Sequence, residues 1–438
     1  MKLERLGVAV VALVLAGVAF VLGRPTGPGR SGGAGGAGGA GSPATGTGAA
    51  QGAGSTGGGF ALPLDGLALP FGGATLLELA LWGTAILFAA TALLWVVLTY
   101  VVGANYESPE PVYGPEDVQV RIMTIDAADV VQSTVDALPD TLDDVRVVAE
   151  EDISVDGATV HAVPDSFDCA AVRKGRAIEW ARRTLDTDRE FVLYLDEDSL
   201  LEEFDGMPDA DVVQLREKPR RTGSTLSYLA DMYRMGVQLE QRAFARLRIP
   251  LFAWGGGIAV RTELENEVTW NRETLVEDTA FVWAAAREFD IDFALADLTC
   301  RNEAPPSLTE IVQQRRRWAA GNHQAAEMLP RRYRLLTRVR NYAWALSPVV
   351  TLVAVPLSLL GVTVVYGGLF LLVSLGLAAF TALWFLMGVA YYGTSALKWV
   401  LVVPLTPLVA LVHSFGTTLG LLDPPEDFRV TKKAGVQD

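Results

Sequence analysis

Three consecutive acidic residues, Asp196, Glu197 and Asp198, follow an almost entirely apolar stretch at residues 190–195. Such a stretch is typical of a buried strand in a mainly parallel sheet, where ligands bind at the carboxyl ends of the strands. Clustered carboxylates repel one another unless a cation neutralises them. Their oxygens suit Mg²⁺ or Mn²⁺ shared with substrate phosphates, so we interpret Asp196 and Asp198 as metal ligands. A solvated loop that caps the next helix is the simpler alternative.

A second acidic pair, Glu277-Asp278, stands just before a predicted helix at residues 279–288. A carboxylate in this place can act as a general base that takes a proton from an attacking hydroxyl group. Acidic side chains are also favoured at a helix N-terminus by the helix dipole. For this pair taken alone, capping is the simpler interpretation.

A basic and aromatic group, Gln314 to Trp318, lies in a predicted helix that begins near residue 307. Gln314, Arg317 and Trp318 share one helix face at i, i+3 and i+4 spacing. An amide, a bidentate cation and an aromatic ring on one face fit a pyrophosphate group and its charge. A basic helix that touches lipid headgroups is the alternative, and we expect that environment for Arg315 and Arg316.

Three consecutive glycines, residues 255–257, follow Trp254 after an apolar run. Glycines allow the backbone to approach a ligand closely. A tight turn between two strands explains them equally simply.

The central part of the chain has the pattern of an α/β domain in which strands alternate with helices. Strands are predicted at residues 118–125, 145–149, 159–163, 190–195, 210–215, 252–260 and 292–296. Helices are predicted at residues 128–138, 169–185, 226–247 and from 307 onward. This order predicts a doubly wound, mainly parallel sheet with its ligand site at the carboxyl ends of the strands.

Apolar segments flank this domain. Residues 76–102 predict a transmembrane helix, and residues 343–422 are long enough for about three more, at 344–366, 369–392 and 397–422. Residues 6–22 fit a short span or a signal peptide. A cluster of arginines at 331–340 precedes the C-terminal spans, which predicts a cytoplasmic central domain in a multi-pass cell-membrane protein.

The expected organisation has six parts. They are an N-terminal segment (1–24), a Gly-rich flexible linker (25–75), a transmembrane helix (76–103), a catalytic domain (105–340), the C-terminal helices (343–422) and a tail (423–438).

Charge and cysteine content exclude several classes of protein. The net charge is −15, and residues 105–340 hold 44 acidic and 28 basic residues, which argues against nucleic-acid binding. Arginine outnumbers lysine 30 to 6, and with the acid excess this resembles the salt-adapted proteins of haloarchaea. An ordinary acidic domain is the alternative. Only Cys169 and Cys300 occur, which excludes a disulfide framework.

Taken in order, YLDEDS, AWGGG, VEDTA and QRRRW, followed by several membrane spans, resemble a membrane-embedded family 2 glycosyltransferase. YLDED and RKGRAIEWA are similar to motifs of its egghead-type β-mannosyltransferase branch. The resemblance covers roughly residues 118–318 and the C-terminal spans. It implies a Rossmann-like GT-A domain with a mainly parallel sheet, flanked by transmembrane α-helices.

The resemblance also implies roles for the residues that match. Asp278, beside Glu277, would be the general base, and Asp196 and Asp198 would hold Mg²⁺ or Mn²⁺ on the donor diphosphate. The implied donor-binding residues are Thr124, Glu151, Asp152, Lys174, Arg176 and Glu197. The implied diphosphate- and acceptor-binding residues are Gln314, Arg317, Trp318, Trp254, Gly255 and Gly256. The sequence departs from the family at residues 148–152, where Glu151 or Asp152 stands for the usual Asp pair, and at residues 123–126, which lack the usual Pro-Thr-Tyr-Asn.

The resemblance implies that the protein transfers a sugar from a UDP- or GDP-sugar to a lipid-linked or glycan acceptor. The transfer would invert the configuration of the sugar and take place at the cytoplasmic face of the membrane. Three alternatives remain. The first is a processive polysaccharide synthase of the same family, for which three C-terminal spans are few. The second is a membrane-tethered sugar nucleotidyltransferase, whose phosphate-binding signature is missing near residues 118–129. The third is a non-catalytic scaffold, which would carry more polar residues in its spans.

Overall fold

The computed structural model of the protein describes residues 75–360, 364–392 and 403–425. The predicted N-terminal segment, almost all of the Gly-rich linker and most of the C-terminal tail lie outside the described residues. The catalytic domain predicted at residues 105–340 lies entirely within them.

The core of the molecule is an eight-stranded, mostly parallel sheet. Its strands are β2 (Val118–Thr124), β3 (Val145–Ala149), β4 (Thr159–Ala162), β5 (Phe191–Asp196), β6 (Leu200–Leu201), β8 (Val212–Glu217), β9 (Ile258–Arg261) and β10 (Phe293–Arg301). Their spatial order is β4-β3-β2-β5-β9-β8-β10-β6, in which β9 and β6 run antiparallel to their neighbours. Strands β1 (Pro111–Tyr113) and β7 (Met207–Pro208) form a separate two-stranded sheet. This architecture confirms the predicted α/β fold with a mainly parallel sheet.

Helices cover the sheet and connect it to the apolar segments. They are α1 (Leu76–Val97), α2 (Ala128–Asp136), α3 (Lys174–Thr184), α4 (Thr225–Gln238), α5 (Thr262–Val268), α6 (Glu277–Glu288), α7 (Leu308–Ala325), α8 (Arg331–Val349), α9 (Val355–Leu359), α10 (Gly367–Tyr391) and α11 (Thr406–Leu422). A π-helical stretch continues α1 over Leu98–Val102, and another joins α8 to α9 over Val350–Ala354.

The register of the central strands brings their carboxyl ends to one edge of the sheet. Thr124, the last residue of β2, pairs with Ala149 of β3, and Met123 pairs with Asp196 at the end of β5. All seven residues of β2 are buried, as expected for a strand covered on both faces. Residues that directly follow β2, β3 and β5 are therefore neighbours in space.

Several predicted elements are wrong in extent. The helix predicted at 169–185 begins only at Lys174, and the strand predicted at 292–296 continues to Arg301. The strand predicted at 252–260 forms only at Ile258–Arg261, and the backbone N–H and carbonyl of Trp254 are bonded by the Gln214 side chain instead of by a neighbouring strand. The helix predicted at 226–247 ends at Gln238 and continues as a 3₁₀ helix over Leu239–Arg246. This 3₁₀ helix packs closely against Gly103. A Cβ added at Gly103 would lie only 3.1 Å from the backbone nitrogen of Ala243, which is tighter than ordinary side-chain packing.

Three helices are long and apolar enough to cross a bilayer, judged by length and composition: Leu76–Val102, Gly367–Tyr391 and Val403–Leu422. They fall in three of the four segments predicted to span. The fourth segment, 344–366, forms the end of α8, its π-helical continuation and α9, and it is not among these three helices. The exact number of crossings stays a prediction.

The catalytic domain packs against an apolar helix through two glycines. A Cβ at Gly236 of α4 would lie 1.8 Å from the carbonyl oxygen of Trp384, and one at Gly388 of α10 would lie 1.7 Å from the carbonyl oxygen of Met232. Both neighbours are backbone atoms, which cannot rotate away. The two helices therefore need glycine at this crossing to keep their separation.

We expect Gly388→Ala to destabilise the protein by about 1–3 kcal/mol, the usual cost of overpacking. The measurement is thermal unfolding in detergent, where the midpoint should fall by several degrees. Gly376→Ala in the same helix is the matched control, because nothing lies within 4 Å of a Cβ there. Equal midpoints for the two variants would contradict the close helix crossing.

Candidate active site

The carboxyl edge of the sheet borders a large cavity of about 620 Å³. Asp196 at the end of β5, Lys174 at the start of α3 and the pair Glu277-Asp278 at the start of α6 all line it. These four residues come from three separate motifs in the sequence. The fold gathers them at one wall of the cavity.

Lys174 lies at the centre of this group. Its Nζ forms an ion pair with Asp196, lies 3.7 Å from Oε1 of Glu277 and donates a hydrogen bond of 3.4 Å to the carbonyl of Gly255. Burial opposes the charge on Lys174, but Asp196 and then Glu277 more than offset it, so the pKa of Lys174 lies above its ordinary value. Lys174 is therefore a fixed positive charge at physiological pH.

The carboxyl group of Asp278 has a raised pKa. Burial, followed by the negative charge of Glu277, raises the pKa of Asp278 to about 7, although Lys174 and the Thr279 amide act in the opposite direction. Its Oδ1 accepts a hydrogen bond of 2.7 Å from that amide. A carboxyl group with a pKa near the working pH can both take up and release a proton efficiently.

The Gly-rich loop is held against this wall by hydrogen bonds to its backbone. Thr279 exchanges two hydrogen bonds with Ala253, of 3.0 and 3.1 Å, which connects the loop to the start of α6. A Cβ at Gly255 would lie 2.6 Å from Nζ of Lys174 and 3.4 Å from Oδ2 of Asp278. A side chain at position 255 would thus crowd both residues.

The pH dependence of the reaction follows from the raised pKa of Asp278. If Asp278 accepts a proton, the rate should fall as the pH decreases through about 7, because the carboxylate is then protonated. The measurement is the rate of nucleotide release at saturating substrate between pH 5 and 9. An acidic limb centred near pH 4, the ordinary value for an aspartate, would contradict this assignment.

Three residues predicted to bind the donor also line the cavity, together with Glu150. Thr124 donates a hydrogen bond of 2.7 Å to Glu197, and Arg176 donates one of 2.6 Å to Glu150. Thr124, Glu197, Arg176 and Glu150 all line the cavity. Sequence reasoning did not single out Glu150, although it directly follows strand β3 and stands next to the proposed Glu151.

Four predicted residues are not brought to the cavity. Glu151 and Asp152 are exposed beyond β3, Gly256 is buried behind Trp254, and Asp198 is fully buried. Oδ2 of Asp198 accepts a hydrogen bond of 2.7 Å from the amide of Glu303. Within the described residues, no group of three or more acidic, histidine or cysteine side chains is arranged around a metal position.

The motif in α7 forms the opposite wall. Gln314, Arg317 and Trp318 line the cavity, as their shared helix face requires. The expectation that Arg315 touches lipid headgroups is wrong, because its side chain is fully buried and forms an ion pair with Asp231. Arg316 instead forms an ion pair of 2.6 Å with Asp423 after α11.

The same cavity continues between the apolar helices. Its lining includes Trp95 from Leu76–Val102, Trp384 from Gly367–Tyr391 and His413 from Val403–Leu422, together with Trp344 of α8. This continuation could not be predicted from the sequence, because helix periodicity does not show which faces of separate helices meet around one space.

Comparison with known families agrees with the motifs. The sequence model described as "Glycosyl transferase family group 2" matches residues 191–412, about half of the chain. The chain belongs to glycosyl transferase family group 2. It is therefore an enzyme, a glycosyltransferase with a GT-A-like α/β fold. The match includes the acidic triplet, the Gly-rich loop, the pair Glu277-Asp278 and the motif in α7.

Several solved structures are similar to this glycosyltransferase. Mannosyl-3-phosphoglycerate synthase from Rubrobacter xylanophilus is 16% identical, and the alignment covers 49% of this chain and 75% of that one, with a TM-score of 0.33. Glucosyl-3-phosphoglycerate synthase from Mycobacterium tuberculosis is 15% identical, with 49% and 86% covered and a TM-score of 0.32. No curated protein matches the chain at a significant level.

Proposed function

We propose that this glycosyltransferase transfers a sugar from a UDP- or GDP-sugar to a membrane-bound acceptor, with inversion at the anomeric carbon. The observation that carries the proposal is the single cavity of about 620 Å³. Its lining includes both the cluster of Asp196, Lys174 and Asp278 and side chains of three apolar helices. Such a cavity can admit a water-soluble donor from one side and an acceptor held in the bilayer from the other.

Asp278 is the general base of the proposed reaction. Its carboxylate takes the proton from an acceptor hydroxyl, and that oxygen bonds to the anomeric carbon of the donor. The bond between this carbon and the diphosphate oxygen breaks at the same time, and the nucleoside diphosphate leaves with the electron pair. One displacement on one carbon inverts its configuration, and a single carboxylate at the acceptor is sufficient.

The donor diphosphate binds near Lys174 and Arg176 in this proposal. Both side chains line the cavity, and Lys174 keeps its charge because carboxylates surround it. A fixed cation that faces the leaving diphosphate stabilises the negative charge that develops there. Thr124, Glu150 and Glu197 lie beside them, where the nucleoside would be held.

A divalent metal ion fits this site with Asp196 as its protein ligand. Asp196 presents a carboxylate at the cavity, and Mg²⁺ commonly binds through one or two carboxylates together with substrate phosphates. Asp198 is buried on the amide of Glu303, so we place it in support of the loop at the end of β5. When bound, the metal would neutralise charge on the diphosphate.

The acceptor enters from the bilayer in this proposal. Gln314, Arg317 and Trp318 line the same cavity as Asp278 and the side chains of the apolar helices, so we assign them to acceptor binding. We place the enzyme in the cell membrane as a multi-pass protein, with its catalytic domain on the cytoplasmic side, where the arginines that open α8 are favoured.

The experiment is a donor panel with purified protein in nanodiscs. UDP-glucose, UDP-galactose, UDP-N-acetylglucosamine and GDP-mannose are each incubated with a host lipid extract, with Mn²⁺, with Mg²⁺ or with EDTA, in low and in high salt. We expect one donor to release nucleoside diphosphate, the lipid extract to raise that release, and EDTA to abolish it. If folded protein neither binds nor turns over any donor, the proposed function is wrong.

A further inference from the structure

Four buried charged residues lie beside Trp318, and two of them, Glu217 and Arg234, also line the cavity. They are Glu217 at the end of β8, Asp231 and Arg234 in α4, and Arg315 in α7, and we call them the buried charge cluster. Their exposed fractions are 5%, 1%, 5% and 0%. Two carboxylates balance two guanidinium groups, so the cluster is neutral as a whole.

Asp231 joins the two arginines. Its Oδ1 accepts a hydrogen bond of 3.0 Å from Nε of Arg234, and the same oxygen forms an ion pair with Arg315. Arg234 also binds Glu217 with both terminal nitrogens, at 2.5 and 2.6 Å. One carboxylate oxygen therefore holds two guanidinium groups in fixed positions.

The cluster ties three parts of the fold together. Glu217 belongs to the sheet and also accepts a hydrogen bond of 2.8 Å from Asn302, which follows β10. Arg234 belongs to α4, the helix that packs against α10 through the glycine crossing. Arg315 belongs to α7, which carries the predicted acceptor-binding side chains.

Both arginines lie over the same aromatic ring. The central carbon of Arg315 is 4.2 Å from the centre of the Trp318 ring, and that of Arg234 is 5.4 Å away. Arg315 also donates a hydrogen bond to the side chain of Gln314. Since Trp318 and Gln314 line the cavity and the arginines are fixed by Asp231, the cluster sets the orientation of both cavity residues.

Stability alone is a weak reason for such a cluster. A buried ion pair is often no better for stability than apolar residues of similar volume, because both charges lose their hydration. A stacked guanidinium attracts an aromatic face, but that attraction needs neither a second arginine nor a shared carboxylate. The arrangement is better explained by the need for one fixed geometry.

We propose that Asp231 is a positioning residue for sugar transfer, which acts through Arg315 and Arg234 to orient Trp318 and Gln314 towards the acceptor. This inference rests on the proposed function, because it concerns the acceptor half of that reaction. Asp231 itself does not line the cavity, so it reaches the acceptor only through these neighbours.

The test is a double-mutant cycle between Asp231→Asn and Trp318→Ala. Sugar transfer is followed at varied concentrations of host lipid extract, with the donor found for the wild-type protein. We expect Asp231→Asn to raise the KM for the extract about tenfold, a size usual for coupled neighbours, and to leave the KM for the donor within about twofold. In the Trp318→Ala background the same substitution should raise that KM by clearly less than tenfold, because only the path through Gln314 remains.

A charge-balanced variant covers the case in which Asp231→Asn does not fold. Asp231→Asn combined with Arg315→Gln keeps the cluster neutral, and it too should show a raised KM for the extract with normal donor KM. Asp231→Glu, which keeps the carboxylate, should restore part of the acceptor affinity.

Three results would overturn the positioning role. The first is a KM for the extract equal to that of wild type in folded Asp231→Asn or in folded Asp231→Asn with Arg315→Gln. The second is that the effects of Asp231→Asn and Trp318→Ala are additive. The third is that the KM for the donor rises as much as the KM for the extract. Absence of transfer by the wild-type protein is a different result and counts against the proposed function instead.

Discussion

Asp278→Asn is expected to lower the rate of sugar transfer about 10³-fold, within the range measured for general bases. Asparagine keeps the size of the side chain but cannot take the proton of the acceptor hydroxyl. Donor binding should stay within about twofold of wild type, because Lys174, Arg176 and Asp196 are unchanged. The measurement is initial transfer rate together with donor affinity.

The stability of this variant separates a catalytic loss from misfolding. In the folded protein the pKa of Asp278 is about 7, above the ordinary value near 4 that applies in the unfolded chain. A raised carboxyl pKa lowers stability as the pH rises from about 4 through 7, because the fold then holds an unfavourable charge. Asp278→Asn should therefore unfold at a higher temperature than wild type at pH 8.

Asp290→Asn is the matched control, since Asp290 lies just beyond the other end of α6 and its side chain is 95% exposed. It should leave both activity and stability unchanged. Transfer by Asp278→Asn at the rate of Asp290→Asn would remove Asp278 from the mechanism.

Lys174→Met is expected to lower kcat about 10²- to 10³-fold, the usual effect of losing one preorganised group that stabilises developing charge. Methionine has a similar length but leaves the diphosphate, Asp196 and Glu277 without their shared cation. The loss should appear with every acceptor preparation, because the leaving group is the same in each.

The pH profile of Lys174→Met gives a second, independent result. The positive charge of Lys174 holds the pKa of Asp278 down, so its removal should move the acidic limb of the rate to higher pH. Lys218→Met is the control, because Lys218 lies over the ring of Tyr392 and does not line the cavity. An unchanged acidic limb with reduced kcat would show that Lys174 and Asp278 do not interact.

The sequence predicts the centre of the fold well, and the reason is physical. Strand β5 is buried along nearly its whole length and is apolar up to Asp196, so it is easily recognised. Strand β2 is also fully buried and keeps apolar residues at most positions, although it includes Gln119 and Arg121. Two site residues can therefore be placed from the sequence. Asp196 ends the buried strand β5, and Asp278 lies at the start of helix α6.

The failures concern contacts between elements that are distant in the chain. Helix periodicity places Gln314, Arg317 and Trp318 on one face, but it cannot show that Asp231 lies opposite Arg315. For this reason the sequence assigned Arg315 to the lipid surface, whereas a buried carboxylate 84 residues away holds it in the core.

The Gly-rich loop shows a second kind of failure. Its apolar residues predict a strand from 252 onward, because side-chain composition carries the signal. The backbone N–H and carbonyl of Trp254 are instead bonded by the side chain of Gln214. Such a side-chain partner leaves no pattern in the loop's own sequence.

The most direct test of the central claim is the ratio of sugar transferred to nucleoside diphosphate released, measured in nanodiscs with a labelled donor. We expect a ratio of about one in wild-type protein, with the label in the lipid or glycan fraction, and neither product above background in Asp278→Asn. The opposite result is release of nucleoside diphosphate with the label recovered as free sugar. That result would contradict the proposed transfer, because the protein would then hydrolyse its donor.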